Sequence, residues 1–265
     1  MKSRKTLGLA LGSGGVRGLA HIGIIKSLLK HDIEIDYLAG SSIGSWIGAC
    51  YSLYGDLAKL EEVTVGKRKE KFFSFLEPAL GGGVIKGKKL EKMLNDWLGN
   101  SNFDDLKLPF KAVATDLVSG QQVVFDKGNL AFAVRASMAV PGFFKPAVME
   151  KMILADGGIS NPVPDDVVKS MGADVVLAIN LDSQGRFDFS PKKLDLANVT
   201  MRTIEVMRQN LAEYSLSKAD MVIKPEFNIR ASWTGYFING NGREIVQIGE
   251  RAMDDQITEL KKRLA

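Results

Sequence analysis

The segment Gly40-Ser41-Ser42-Ile43-Gly44 joins an apolar run, residues 35–39, to a helix-like run, residues 42–54. G-x-S-x-G between a strand and a helix is the nucleophile-elbow pattern. Glycines flank the serine because a sharp strand-to-helix turn leaves no room for Cβ atoms. Ser42 is thus a candidate nucleophile, with Gly40 and Gly44 as the elbow. Such a serine needs an adjacent base, most often histidine. The two histidines, His21 and His31, both precede it, whereas a Ser…Asp…His hydrolase places its histidine last. His21 is spaced from Ile25 and Leu28 so as to lie near the apolar face of a helix, which favours a packed, hydrogen-bonded ring. His31, next to Asp32, reads as a solvent-facing residue at that helix's end. The remaining candidates are two carboxylates at strand ends. Asp156 precedes Gly157-Gly158, and Asp116 closes Ala114-Thr115-Asp116. Position alone leaves both open.

A second glycine turn, Gly12-Ser13-Gly14-Gly15-Val16-Arg17-Gly18, lies between a strand-like run (6–11) and a helix-like run (16–30). Gly12, Gly14 and Gly18 spell G-x-G-x-x-x-G, close to a dinucleotide fingerprint. That reading, a nucleotide-dependent oxidoreductase, wants an acidic residue near the end of the second strand. Ala39-Gly40-Ser41-Ser42 stands there instead. A different reading fits better. Helix N-termini carry free N–H groups, and glycines let a ligand approach them. In a doubly wound sheet the first two strands end side by side, so this loop would aim N–H groups at an oxyanion forming beside Ser42.

The elements that must hold these residues follow from periodicity. After the β-α-β-α start come a helix at 90–98, a hairpin of strands at 109–117 and 121–126, and a helix at 130–138. A short strand at 152–155 enters Asp156. A helix at 165–171 is stopped by Gly172, and the apolar run 173–180 reads as a central strand. A long helix spans 196–214, a last strand 221–224, and an amphipathic helix 245–264. Strands alternating with helices predict an α/β three-layer α/β/α sandwich with a largely parallel central sheet. No repeat or low-complexity linker divides residues 1–265, which read as one domain.

Composition narrows the classes. Charged residues at 25% argue against disorder, and 45% hydrophobic residues suffice for a large core. A net charge of +4 suits an anionic surface, but no arginine stripe interleaved with aromatics argues for nucleic acid. One cysteine, Cys50, excludes a disulfide framework, and two histidines argue against a zinc site. Neither a secretory leader nor a transmembrane run is evident. The expectation is a soluble, cytoplasmic protein, and one that needs no metal or organic cofactor, because serine, aspartate and backbone N–H groups suffice for acyl-ester chemistry.

Taken together, residues 12–18, Gly40-Ser41-Ser42-Ile43-Gly44 and Asp156-Gly157-Gly158 resemble the patatin-like phospholipase family, in its bacterial branch. The stretch from Ala136 to Pro146 resembles another of its motifs. The likeness covers roughly residues 6–180 and supplies nothing for the C-terminal third. It implies a catalytic dyad with Ser42 as nucleophile and Asp156 as base. It also implies an oxyanion hole at Gly14 and Gly15, with Val16 adjoining and Gly12, Arg17 and Gly18 supporting the loop. Gly18 is offset by one position from the spelling of some members. The implied substrate is a lipid acyl ester, such as a phospholipid or lysophospholipid. A catalytically idle member that binds lipid or a protein partner has the same motifs.

Two aromatic segments remain. From Lys67 to Gly83, basic residues adjoin Phe72, Phe73 and Phe75, followed by three glycines. This composition suits a lid touching an anionic membrane surface. The alternative is a solvated charge run ahead of core phenylalanines. Trp233-Thr234-Gly235-Tyr236-Phe237 either lines an acyl pocket or packs.

Overall fold

The structure, a computed structural model, describes residues 4–66, 88–182, 195–227, 236–237 and 240–265. One sheet runs through it. Its strands are β1 (Leu7–Leu11), β2 (Tyr37–Ser41), β3 (Phe110–Asp116), β4 (Gln122–Phe125), β5 (Ala147–Met149), β6 (Met152–Asp156), β7 (Val175–Ile179) and β8 (Met221–Ile223). They follow the order β5-β6-β3-β2-β1-β7-β8, with β4 also paired to β3. From β3 to β8 all neighbours are parallel. The β4, β5 and β6 pairings are antiparallel. The largely parallel sheet expected from the alternating pattern is therefore present, with an antiparallel edge.

Helices cover both faces. They are α1 (Ala20–Lys30), α2 (Ile43–Tyr54), α3 (Leu57–Glu61), α4 (Lys88–Leu98), α5 (Leu130–Ser137), α6 (Asp165–Ser170), α7 (Leu196–Ser215), α8 (Gly242–Asp254) and α9 (Ile257–Leu264). The alternation in β1 shows why the layers differ. Leu7, Leu9 and Leu11 enter the larger core, with α1, α2, α4, α5 and α8. Ala10 enters a second core of small residues with Val167, Val168 and Ala212 from α6 and α7. A Cβ on Gly8 would fall 2.2 Å from a Val168 methyl, so at that position there is no room for a side chain. Central strands buried on both faces are the rule for parallel sheets, and every residue of β1 and β7 is buried.

Several boundaries shift. The helix expected from residue 16 opens as a 3-10 turn, Gly15–Leu19, before α1. The expected closing helix breaks at Asp255 and Gln256, and the bend lets Ile257 and Leu260 reach the core. Strand β5 and helix α3 were too short to stand out in the pattern. Gly172 does follow α6, at φ 102°, as a helix stop should. The segment from Lys67 to Gly83 lies outside the described residues. So do Trp233, Thr234 and Gly235. Tyr236 packs: its hydroxyl donates to the Thr64 carbonyl at 2.7 Å and its ring is buried against Phe237.

Candidate active site

Strand β3 brings the two halves of the site together. Its residue Val113 is the register partner of Ser41 on β2, and the next residue, Ala114, is the partner of Asp156 on β6. Ser42 and Asp156, 114 positions apart in sequence, therefore emerge side by side. The Ser42 hydroxyl donates to Asp156 Oδ2 at 2.5 Å, both residues buried. That length is within the range of a charge-assisted O–H···O⁻ bond.

Ser42 holds φ 54° and ψ −122°, a conformation costly for a residue with a Cβ. Its surroundings enforce it. The Ser42 N–H donates to Ser137 Oγ at 2.9 Å, and that hydroxyl donates onward to the Val113 carbonyl at 2.5 Å. A Cβ on Gly40 would lie 2.4 Å from the Gly44 carbonyl oxygen. One on Gly44 would lie 2.0 Å from the Leu11 oxygen and 2.9 Å from that of Gly12. The elbow is thus pressed directly against the end of β1 and its glycine loop.

In that loop, Gly12 donates to the Ile179 carbonyl and Ser13 to that of Pro162, anchoring it to the end of β7 and to the segment before α6. Gly18 packs on Ile43, the first residue of α2. Gly14, Gly15 and Val16 form the entry and first turn of the 3-10 helix, where N–H groups lack intrahelical acceptors. Arg17 donates to the Gly14 carbonyl at 3.2 Å and to Asp182 at 2.9 Å.

The two carboxylate candidates separate clearly in environment. Asp116 accepts from the Val118, Ser119 and Ile153 N–H groups and the Ser119 hydroxyl. The Ser119 hydroxyl and those N–H groups hold its pKa below the ordinary carboxylate value. It ties a turn and is spent on it. Asp156 is buried, and loss of hydration raises its pKa from 3.8 to about 6. Ser42 and the Gly158 N–H, at 2.8 Å from Oδ1, oppose that rise. Thr115 fixes the backbone by donating to the Asp156 carbonyl. His21 is buried. Its Nε2 contacts the Gly12 carbonyl at 2.8 Å, which requires the proton on Nε2, and burial lowers its pKa to about 4. His31 meets Asp254 on α8.

Sequence reading missed Ser137, Asp182 and Arg208. Ser137 lies inside the stretch from Ala136 to Pro146, whose likeness to a family motif assigns it no role. Asp182 follows β7, and Arg208 is one of many polar residues on α7, so no local pattern marks either. They are joined by two 2.8 Å bonds, Arg208 Nε to Asp182 Oδ2 and Arg208 Nη2 to Oδ1.

The architecture is that of an α/β/α sandwich with its serine elbow at the carboxyl ends of parallel strands. The family profile of patatin-like phospholipases matches residues 9–168, and the chain belongs to that family. An uncharacterized NTE family protein of Mycobacterium bovis is 33% identical over 219 residues, which are 82% of this chain and 60% of that one. Human patatin-like phospholipase domain-containing protein 6 is 34% identical over 199 residues, 70% of this chain and 14% of that protein. The chain therefore spans less than two thirds of the length of these relatives. The crystal structure of VipD from Legionella pneumophila shares the fold, with a TM-score of 0.59 and 14% identity over 97% of this chain and 67% of that one. No helix among the described residues is long and apolar enough to cross a membrane.

Proposed function

We propose that the protein is a serine hydrolase of lipid acyl esters, with Ser42 as nucleophile and Asp156 as base. The observation that carries this is the buried 2.5 Å bond between them. As Ser42 Oγ attacks the acyl carbon, its proton passes to Asp156 Oδ2. The carbonyl oxygen becomes an oxyanion, received by the N–H groups of Gly14, Gly15 and Val16. When the intermediate collapses, the C–O bond to the alcohol breaks and Asp156 returns the proton to that oxygen. Water then attacks the acyl-serine, with Asp156 taking and returning a proton in the same way, and the fatty acid leaves. A carboxylate of ordinary pKa is a poor base for a hydroxyl; a value near 6 narrows the gap while keeping Asp156 ionised at neutral pH.

Lipid as the substrate class rests on family membership. A site for peripheral membrane contact from Lys67 to Gly83, and a single domain over 1–265, belong to the same reading. Fluorophosphonate labelling tests the chemistry, since it needs an activated serine. Ser42 should be labelled in the wild type, and Ser42→Ala and Asp156→Asn should each abolish labelling and hydrolysis of p-nitrophenyl butyrate while remaining folded. A wild type that resists the probe would mark an idle family member instead.

A further inference from the structure

The ion cluster beside Asp156 takes no part in the steps above. Arg208 reaches it from α7, a helix beyond the residues the family profile covers. Helix α7 packs on the 3-10 turn Gly157–Ile159, which directly follows Asp156. A Cβ on Gly158 would meet Arg208 Cδ at 2.9 Å, Asp156 Oδ1 at 3.0 Å and Ser13 Oγ at 3.0 Å. Arg208 Cδ and Asp156 Oδ1 are therefore no more than about 6 Å apart, and the guanidinium begins one bond beyond Cδ, near enough for its charge to lower the Asp156 pKa. Glycine at 158 is what permits the approach. Both bonds to Asp182 hold the guanidinium in place, and a planar fork on a carboxylate has little freedom to swing away.

We infer that Arg208 is a positioning residue for the reaction: clamped on Asp182, its guanidinium keeps the buried Asp156 ionised and so able to accept the Ser42 proton. The inference rests on the Ser42–Asp156 reading. Asp156 is faced by Ser42 from the start of α2, by the Gly158 N–H, and by Ser13 from the β1 loop. Arg208 from α7 and Asp182 after β7 are the charges acting on it, with opposite sign. Arg17 and Glu205 act in turn on Arg208's surroundings. Burial pushes the carboxyl towards its neutral form, and Arg208 pulls it back.

The two charges make opposite predictions. In the full chain, the rate of Ser42 labelling by a fluorophosphonate and kcat/KM on p-nitrophenyl butyrate are followed from pH 4.5 to 9, a window of about two units either side of neutral. Arg208→Met should move the midpoint of the acid limb up by about one to two pH units, the Coulomb term at an effective dielectric constant of about 20 over roughly 6–8 Å. Arg208→Lys, which keeps the charge but not the fork, should fall between Arg208→Met and wild type. Asp182→Asn should move the midpoint down, because it removes a negative charge while the amide oxygen still accepts from Arg208 and keeps it in place. Packing damage alone lowers rates without displacing midpoints in opposite directions. Unmoved midpoints, or shifts of the same sign in Arg208→Met and Asp182→Asn, overturn the inference. Should Arg208→Met not fold, an upward or absent shift in Asp182→Asn overturns it alone. Failure of wild-type labelling would instead remove the dyad reading.

Discussion

Replacing Asp156 by Asn should stabilise the protein at alkaline pH while abolishing hydrolysis. Folding raises this carboxyl from 3.8 to about 6 by stripping its hydration. The folded state therefore binds the proton more tightly than the unfolded chain. Its contribution to stability is fully present below pH 3.8 and is lost as pH rises through 6. Each tenfold in the protonation equilibrium is about 1.4 kcal/mol, so the whole displacement corresponds to about 3 kcal/mol. Asn is neutral at every pH and keeps an oxygen for the Gly158 N–H. One amide hydrogen is left without an assigned acceptor, which offsets the gain by a pH-independent amount. The test is therefore the slope. The melting-temperature difference, mutant minus wild type, should grow by about 6 °C or more between pH 4 and pH 8, for a chain of this size. Melts across that range in matched buffers measure it. A difference that stays flat, or that favours wild type increasingly at high pH, would refute the account of Asp156 as a carboxylate destabilised by burial.

Other residues give sharper structural tests. Ser137→Ala removes the acceptor of the buried Ser42 N–H; we expect a loss of about 1–3 kcal/mol in urea melts and slower fluorophosphonate labelling, because the strained elbow is no longer pinned. His21→Gln should behave oppositely to Asp156→Asn. Burial lowers His21 from 6.5 to about 4, so its neutral ring contributes stability that is present above 6.5 and lost as pH falls through 4. The variant should gain on wild type as pH drops through that window, with melts at pH 4 and 8 as the check. Asp116→Asn should destabilise the turn at Val118 and Ser119 yet leave the acid limb of hydrolysis where it is, a result that a pH–rate profile reads directly.

Much of this site was legible because each half is a local turn problem. Ser42 sits where a chain must leave a strand and enter a helix at once, and only glycines at 40 and 44 tolerate the resulting contacts with backbone oxygens. The loop at 12–18 declares itself the same way. The base was harder. Asp116 and Asp156 both end strands before tight turns, and what separates them is which N–H groups face each carboxylate. Four donors from a turn and a neighbouring strand occupy Asp116. Asp156 has one backbone donor and the serine. No spacing rule contains that difference. Arg208 and Asp182 were invisible for a related reason: their meaning comes from α7 folding back onto the turn after β6, a contact with no local signature.

If Asp156 is the base, as proposed above, the antiparallel edge of the sheet explains how an aspartate takes the place of the histidine missing downstream of Ser42. Strand β3 is shared along its length: its first residues pair with β2 in parallel, and its last with β6 antiparallel. Two strands running in opposite directions thus end against consecutive residues of a third, and their termini, Ser41 and Asp156, are forced into the same place. A short side chain is enough to close the remaining gap, so a carboxylate meets the serine directly with no imidazole between them. The cost of the arrangement is that Asp156 is buried, out of water, where ionisation is disfavoured. By the inference above, a base so placed depends on charge supplied from α7, a helix in the part of the chain that carries no recognisable motif.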